Sequence, residues 1–164
     1  MSRVGIGFDV HAFAPERPLV LGGVAVSSAG GLAGHSDADV VVHAVCDALL
    51  GAAGEGDMGR HFPSSDPRWK GVSSLELLAT VRDLLATAGW QVVNIDAVVI
   101  ADRPRLGPHL EAMRGALAAC LRVQPGVVHV KVTGTDGLGA IGRGEGIAAQ
   151  AVVLLEPAME AERS

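Results

Sequence analysis

The chain has 164 residues, a formal net charge of −5 and 49% hydrophobic residues. That length fits one domain able to bury about 70% of its unfolded surface, and the apolar content argues against disorder. The acidic balance excludes a nucleic-acid binder, which needs a basic face to displace counterions, yet leaves room for an anionic ligand held by a metal or a helix N-terminus. Three Phe, two Trp and no Tyr leave the core to Val, Leu, Ile and Ala. Cys46 and Cys120 sit in apolar helical patterns and read as buried free thiols of a reducing compartment. The N-terminus shows no basic segment followed by an apolar core, and no apolar run reaches the ~20 residues of a membrane span. A soluble, cytoplasmic chain without membrane contact is expected.

Residues 3–11 read as a strand with Ile6, Phe8 and Val10 on one face and Gly5, Gly7, Asp9 and His11 on the other. Residues 18–27, PLVLGGVAVS, look like a second strand or hairpin broken at Gly22-Gly23. Residues 37–53 read as a helix, with Ser36 placed to cap it and Asp39 three residues on, as in a capping box. The Gly, Pro, Asp and Ser of residues 54–71 predict a long loop, longer than ordinary connections and therefore functional or mobile. A second helix is predicted over 73–88, with Ser73 and Glu76 as its capping box and Gly89 as its stop. A strand follows at 90–101, a third helix at 107–122, and strands at 127–133 and 147–156. Intermixed strands and helices of these lengths predict an α+β two-layer sandwich: a mixed sheet of four to five strands covered by helices on one face. One domain over 1–157 and a short charged tail over 158–164 complete the expected organisation.

Asp9 and His11, two apart in a strand, project from one face and can converge on one cation. A third ligand must come from elsewhere. His43 lies in the helix between Asp39 and Asp47, forming a polar stripe at i, i+4 spacing. The same stripe suits a helix face in solvent, and spacing alone does not choose His43 over His35, His61, His109 or His129. A His, His, carboxylate set with an open position would suit a catalytic zinc. In HSDAD, residues 35–39, His35 precedes a helix N-terminus that would attract phosphate, though the same residues are simply a good helix start. The glycine-rich stretches 54–67 and 133–146 can fold over polar ligands; the second has the makings of a phosphate cradle but is not a Walker motif.

GIGFDVHAF, HSDADVVVHAVCDALLGAAGEGDMGRHFP, DPRWKG, RPRLGPH and GRGEGIAAQAVVLL together resemble the 2-C-methyl-D-erythritol 2,4-cyclodiphosphate synthase family of the non-mevalonate isoprenoid pathway, over essentially the whole chain and in the same order. The resemblance implies a homotrimer with active sites between neighbouring subunits. It implies zinc, or another divalent metal, on Asp9, His11 and His43. It implies a second divalent ion, Mg2+ or Mn2+, on the substrate diphosphate, with Asp136 where glutamate is more usual. The implied substrate is 4-diphosphocytidyl-2-C-methyl-D-erythritol 2-phosphate, whose own 2-phosphate attacks the β-phosphate and releases CMP. His35, with Ser36 beside it, is implied to hold the reacting phosphate. Asp57, Met58, Gly59, Phe62, Pro63, Ser64, Ser65 and Asp66 match the segment holding the erythritol portion. Ala101, Pro104, Arg105, Leu106 and Gly107 match the cytidine pocket.

Two departures from the family pattern stand out. Gly134 takes the place of a threonine that steadies the transferring phosphate, between Thr133 and Thr135, and Ala140 stands where an aromatic residue is common. Either the Gly134 N–H or a neighbouring hydroxyl substitutes, or turnover is lower. Arg143 and Glu145 match the segment that lies near the trimer axis and can bind an isoprenoid diphosphate. Two rivals to a cyclising lyase are a metal-dependent phosphohydrolase using zinc-bound water and a non-catalytic isoprenoid-diphosphate sensor.

Overall fold

A computed structural model describes residues 1–27 and 29–158. Apart from Ala158, whose N–H donates to Gly89 O at 2.8 Å, the expected tail lies outside the described residues. The elements in chain order are strands β1 (Arg3–Ala14), β2 (Leu19–Leu21), β3 (Val24–Ser27) and β4 (Gly31–Leu32), then helices α1 (Val40–Ala53), α2 (Met58–His61) and α3 (Ser74–Thr87). Strand β5 (Trp90–Ile100), helix α4 (Leu110–Leu121), strand β6 (Val128–Thr133), helix α5 (Gly139–Gly142) and strand β7 (Gly146–Pro157) follow. The five-stranded mixed sheet runs β4-β1-β7-β5-β6, with β2 and β3 as a separate hairpin. Strands β5 and β6 pair in parallel, and the other pairs of the sheet are antiparallel. The helices lie on one side, giving the two-layer α+β arrangement expected.

The inner face of the sheet carries Ile147, Ala149, Ala151 and Val153 of β7 and Ile95, Ala97 and Val99 of β5, all essentially inaccessible. They meet Val41, Val45, Leu49, Leu78, Met113 and Leu117 of the helices. Each large aliphatic side chain so buried contributes about 2 kcal/mol through the apolar surface removed from water.

Strand β1 reaches this core in an unusual way. Its inward residues are Gly5 and Gly7, not Ile6 and Phe8. A Cβ at Gly5 would sit 2.0 Å from Ala48 O, and one at Gly7 would sit 1.9 Å from Ala44 O. The strand backbone therefore lies directly on the α1 backbone. Continuing on the same face, Asp9 and His11 are delivered against the first turns of α1.

Helix α1 starts later than the capping box at Ser36 implied. Ala38 adopts φ 60°, which breaks the helical path, so Asp39 becomes the cap. Its carboxylate accepts from Gly22, Gly23, Val41 and Val42 N–H at 2.7–3.1 Å. Asp39 thus ties the β2–β3 turn to the helix start, and it is fully buried. The helix ends at Gly54, whose left-handed φ of 81° suits a residue without a Cβ. The Ser73–Glu76 capping box is also absent: Ser73 makes no side-chain cap bond, and only its carbonyl receives the Glu76 N–H. The predicted long loop contains α2 and a 3-10 turn at Pro67–Trp69, each started by an aspartate cap, Asp57 and Asp66.

Candidate metal centre

The Asp9 Oδ2 atom lies 2.9 Å from His11 Nε2 and 2.9 Å from His43 Nδ1. One donor atom from each of the three residues falls within 4.8 Å of the others, the one such cluster of three or more among the described residues. Imidazole–carboxylate–imidazole donors are the set zinc accepts, and a tetrahedron of ~2.0 Å bonds has edges of about 3.3 Å. Three donors this close would suit one divalent ion. Burial pushes the Asp9 carboxyl up, but hydrogen bonds and charge from His11 and His43 more than offset it and hold it well below the ordinary carboxylate range. The Asp9 hydrogen bond raises His11, against the opposing effect of burial. An ionised Asp9 is the form that binds a cation.

The His43 side chain is fixed from behind. The His43 ring turns Nε2 to Ser74 Oγ at 2.9 Å and Ser36 Oγ at 3.1 Å. Ser74 Oγ in turn donates to Asp37. An ion on Nδ1 would leave Nε2–H to donate into this chain and so set the tautomer. The Ala33 backbone adds to the raising of His11. Arg17 donates to Gly34 O at 2.7 Å and to Ser36 O, clamping the turn that carries His35.

The cluster opens into a cavity of about 320 Å³ lined by Asp9, His11, His35, Ser36, His43, Asp47, Met58, Gly59, Phe62, Ser64, Trp69 and Leu77. Of the segment expected around a sugar, Met58, Gly59, Phe62 and Ser64 line it. Asp57, Pro63, Ser65 and Asp66 do not: Asp57 caps α2, Asp66 pairs with Arg68, and Ser65 is exposed. Asp47, read only as part of a helical stripe, accepts the Met58 N–H at 2.8 Å and so fastens α2 to the cavity wall. Burial raises its carboxyl above the ordinary value.

A second cavity, about 700 Å³, is lined by Ala101, Asp102, Pro104, Arg105, Leu106, Gly107, Val132, Thr133, Gly134 and Asp136. Every residue expected at a cytidine is there. Thr135 is not; its N–H and hydroxyl turn to Asp102. Asp136, at φ 54°, belongs to this cavity and not to the Asp9–His11–His43 cluster. Arg143 pairs with Glu145 at 2.6 Å and lines neither cavity. The two cavities share no residue. They nevertheless lie at one end of the sheet, since Val10 of β1 and Ile100 of β5 both stand opposite Ala148 of β7.

Asp102 was missed from the sequence. It stands two residues beyond the end of β5, and the parallel pairing of β5 with β6 brings it to the Thr133–Gly137 loop. Without that register, nothing singles it out.

A model of the YgbB family matches residues 2–156. The 2-C-methyl-D-erythritol 2,4-cyclodiphosphate synthase of Pelotomaculum thermopropionicum is 59% identical over 153 residues, covering 93% of this chain and 94% of that relative. That of Thermosynechococcus vestitus is 54% identical over 157 residues, covering 96% of this chain and 98% of the relative. Among solved structures, the bifunctional IspDF of Campylobacter jejuni matches with a TM-score of 0.93 and 41% identity, covering 96% of this chain and 42% of that one. A CDP-bound 2C-methyl-D-erythritol-2,4-cyclodiphosphate synthase matches with a TM-score of 0.85 and 38% identity, covering 94% of this chain and all of the other. The chain belongs to the YgbB family, among the 2-C-methyl-D-erythritol 2,4-cyclodiphosphate synthases.

Proposed function

We propose that the chain converts 4-diphosphocytidyl-2-C-methyl-D-erythritol 2-phosphate into 2-C-methyl-D-erythritol 2,4-cyclodiphosphate and CMP, as a phosphorus–oxygen lyase of non-mevalonate isoprenoid synthesis. The observation that carries this reading is the convergence of Asp9, His11 and His43 beside a polar cavity, in a chain of this family. The nucleophile is an oxygen of the substrate's own 2-phosphate, so no side-chain nucleophile or strong base is needed. Catalysis reduces to folding the substrate into attack geometry and neutralising charge. Zinc or another divalent ion held by Asp9, His11 and His43, and Mg2+ or Mn2+ with the diphosphate near Asp136, would supply positive charge to phosphate oxygens.

The chain's own groups do the rest. His35, its ring Nε2 3.3 Å from Asp66 O, presents an imidazole beside the metal cluster where a phosphate would sit. Met58, Gly59, Phe62 and Ser64 form the wall for the erythritol portion. The segment from Ala101 to Gly107 holds the cytidine, and Thr133 and Gly134 line the phosphate end of that cavity.

The complete site is shared between copies in a trimer. Two observations support this. The metal and nucleotide cavities are separate in one chain. The outer face of β1 and β7 also exposes Val4, Ile6, Phe8, Val10 and Val152, an apolar face that a neighbouring sheet would cover. Arg143 then lies at the segment assigned to an isoprenoid diphosphate on the trimer axis. The free thiols Cys46 and Cys120 accord with a cytoplasmic location.

Incubation with the phosphorylated cytidine substrate tests the reaction. Cyclic diphosphate plus CMP supports it, and CMP with an open-chain 2,4-bisphosphate would point to a phosphohydrolase instead. Mixing inactive His43→Ala with inactive Asp136→Ala protein tests the shared site: regained turnover means that the two cavities act in trans.

A further inference from the structure

Gly134 is not at a positive φ, so the backbone does not demand a glycine there. A Cβ built on it would meet Asp102 Oδ1 at 2.8 Å, and beyond that carboxylate only Asp136 N at 4.0 Å. The Asp102 carboxylate is held by the loop itself. It accepts from Thr135 N–H at 2.6 Å and Gly137 N–H at 3.1 Å, with Thr135 Oγ1 at 3.4 Å. The Thr135 N–H pulls its carboxyl below the ordinary value, as expected for an anion held by backbone donors.

We infer that Asp102 is the positioning residue of the Thr133–Gly137 loop, and that Gly134 is glycine because the Asp102 carboxylate occupies the place where a side chain at 134 would begin. This inference rests on the reading of that loop as the phosphate end of the nucleotide cavity. The carboxylate sits at the end of a short side chain and can swing away, but only by releasing the Thr135 and Gly137 N–H groups. An alanine at 134, which brings no hydroxyl to the ligand, therefore acts through Asp102. The loop keeps its shape without the hydroxyl of a threonine at 134, and Gly134 remains in the cavity lining.

The test is a double-mutant cycle read by CDP binding in the presence of Mg2+, using titration calorimetry. Asp102→Ala, Gly134→Ala and the double variant are compared with the unaltered protein. All three should weaken CDP binding to the same degree, about three- to tenfold, because each releases the same hydrogen bonds. Zinc content and thermal midpoint should stay unchanged, which separates positioning from loss of fold. Asp102→Asn, which keeps one acceptor oxygen, should recover part of the affinity. Equal additional loss from Gly134→Ala when Asp102 is already absent would overturn the inference, as would unaltered CDP affinity in Asp102→Ala. Absence of cyclic product from the unaltered protein that still binds CDP would instead count against the proposed reaction alone.

Discussion

Ser74 Oγ lies 2.9 Å from His43 Nε2, while the opposite nitrogen of the same ring, Nδ1, lies 2.9 Å from Asp9 Oδ2. Ser74 stands at the start of α3 and His43 in α1, so two helices jointly set one imidazole. Ser74→Ala should weaken zinc binding about tenfold, the size typical of partners behind a metal ligand, softened by the second hydroxyl of Ser36. Competition against a chromogenic chelator measures it. An affinity equal to that of the unaltered protein would show that Ser36 alone suffices.

Asp9 touches both histidines, so its removal leaves two imidazoles with no shared anion. Asp9→Ala should lose bound zinc and turnover together, whereas the fold, built on the glycine contacts, should persist. Metal analysis beside circular dichroism checks this. Full turnover after exhaustive chelation of the unaltered enzyme would contradict the metal-dependent reading.

Gly7 allows β1 to lie on the backbone of α1, where a Cβ would fall 1.9 Å from Ala44 O. Gly7→Ala should cost about 3 kcal/mol, since backbone on both sides must move. The displacement also parts Asp9 from His43, so zinc affinity should fall with stability. Denaturant unfolding and metal titration on one sample report both.

Asp39 carries a sign that can be checked. Burial pushes its carboxyl from 3.8 up to about 6, against the lowering effect of the Gly23, Val42 and Gly22 N–H groups. Its folded pKa therefore exceeds its unfolded one, and between those values the folded chain holds a proton that the unfolded chain has released. The contribution of Asp39 to stability should fall as pH rises from about 4 to about 6, then stay level. The difference in unfolding free energy between the unaltered protein and Asp39→Asn, followed from pH 4 to 8, should decline through that window. A difference independent of pH would place the folded pKa at its ordinary value.

Phe8 is 57% exposed in the single chain, between Ile6 at 64% and Val10 at 51%. If copies assemble through this face, Phe8→Asp should give a folded monomer with little turnover, seen by light scattering. A Phe8→Asp protein that keeps the parent's molar mass and activity would remove this face from the interface.

Much of the site was legible because it obeys strand and helix periodicity. Gly5, Gly7, Asp9 and His11 share one strand face by alternation alone, and the polar positions of α1 recur every fourth residue. The helices and longer strands followed from apolar patterning, with ends shifted where caps differed. Ser36 was a sound cap by type, yet Ala38 at φ 60° passed that role to Asp39, whose carboxylate also had two turn N–H groups to bind. That competition involves residues far apart in the chain.

Sequence by itself determined which side chains of one element point the same way, because that depends only on local backbone geometry. Tertiary structure decided which histidine completes the centre. His43 joins Asp9 because glycines let β1 touch α1. His61 instead lies 2.8 Å from Glu55 O, and His35 stands beside the cluster without entering it. It also decided that Asp102 governs the loop at Gly134, because the parallel register of β5 and β6 alone brings them together. Pairing between elements is set by the packing of the whole core, which no local spacing encodes.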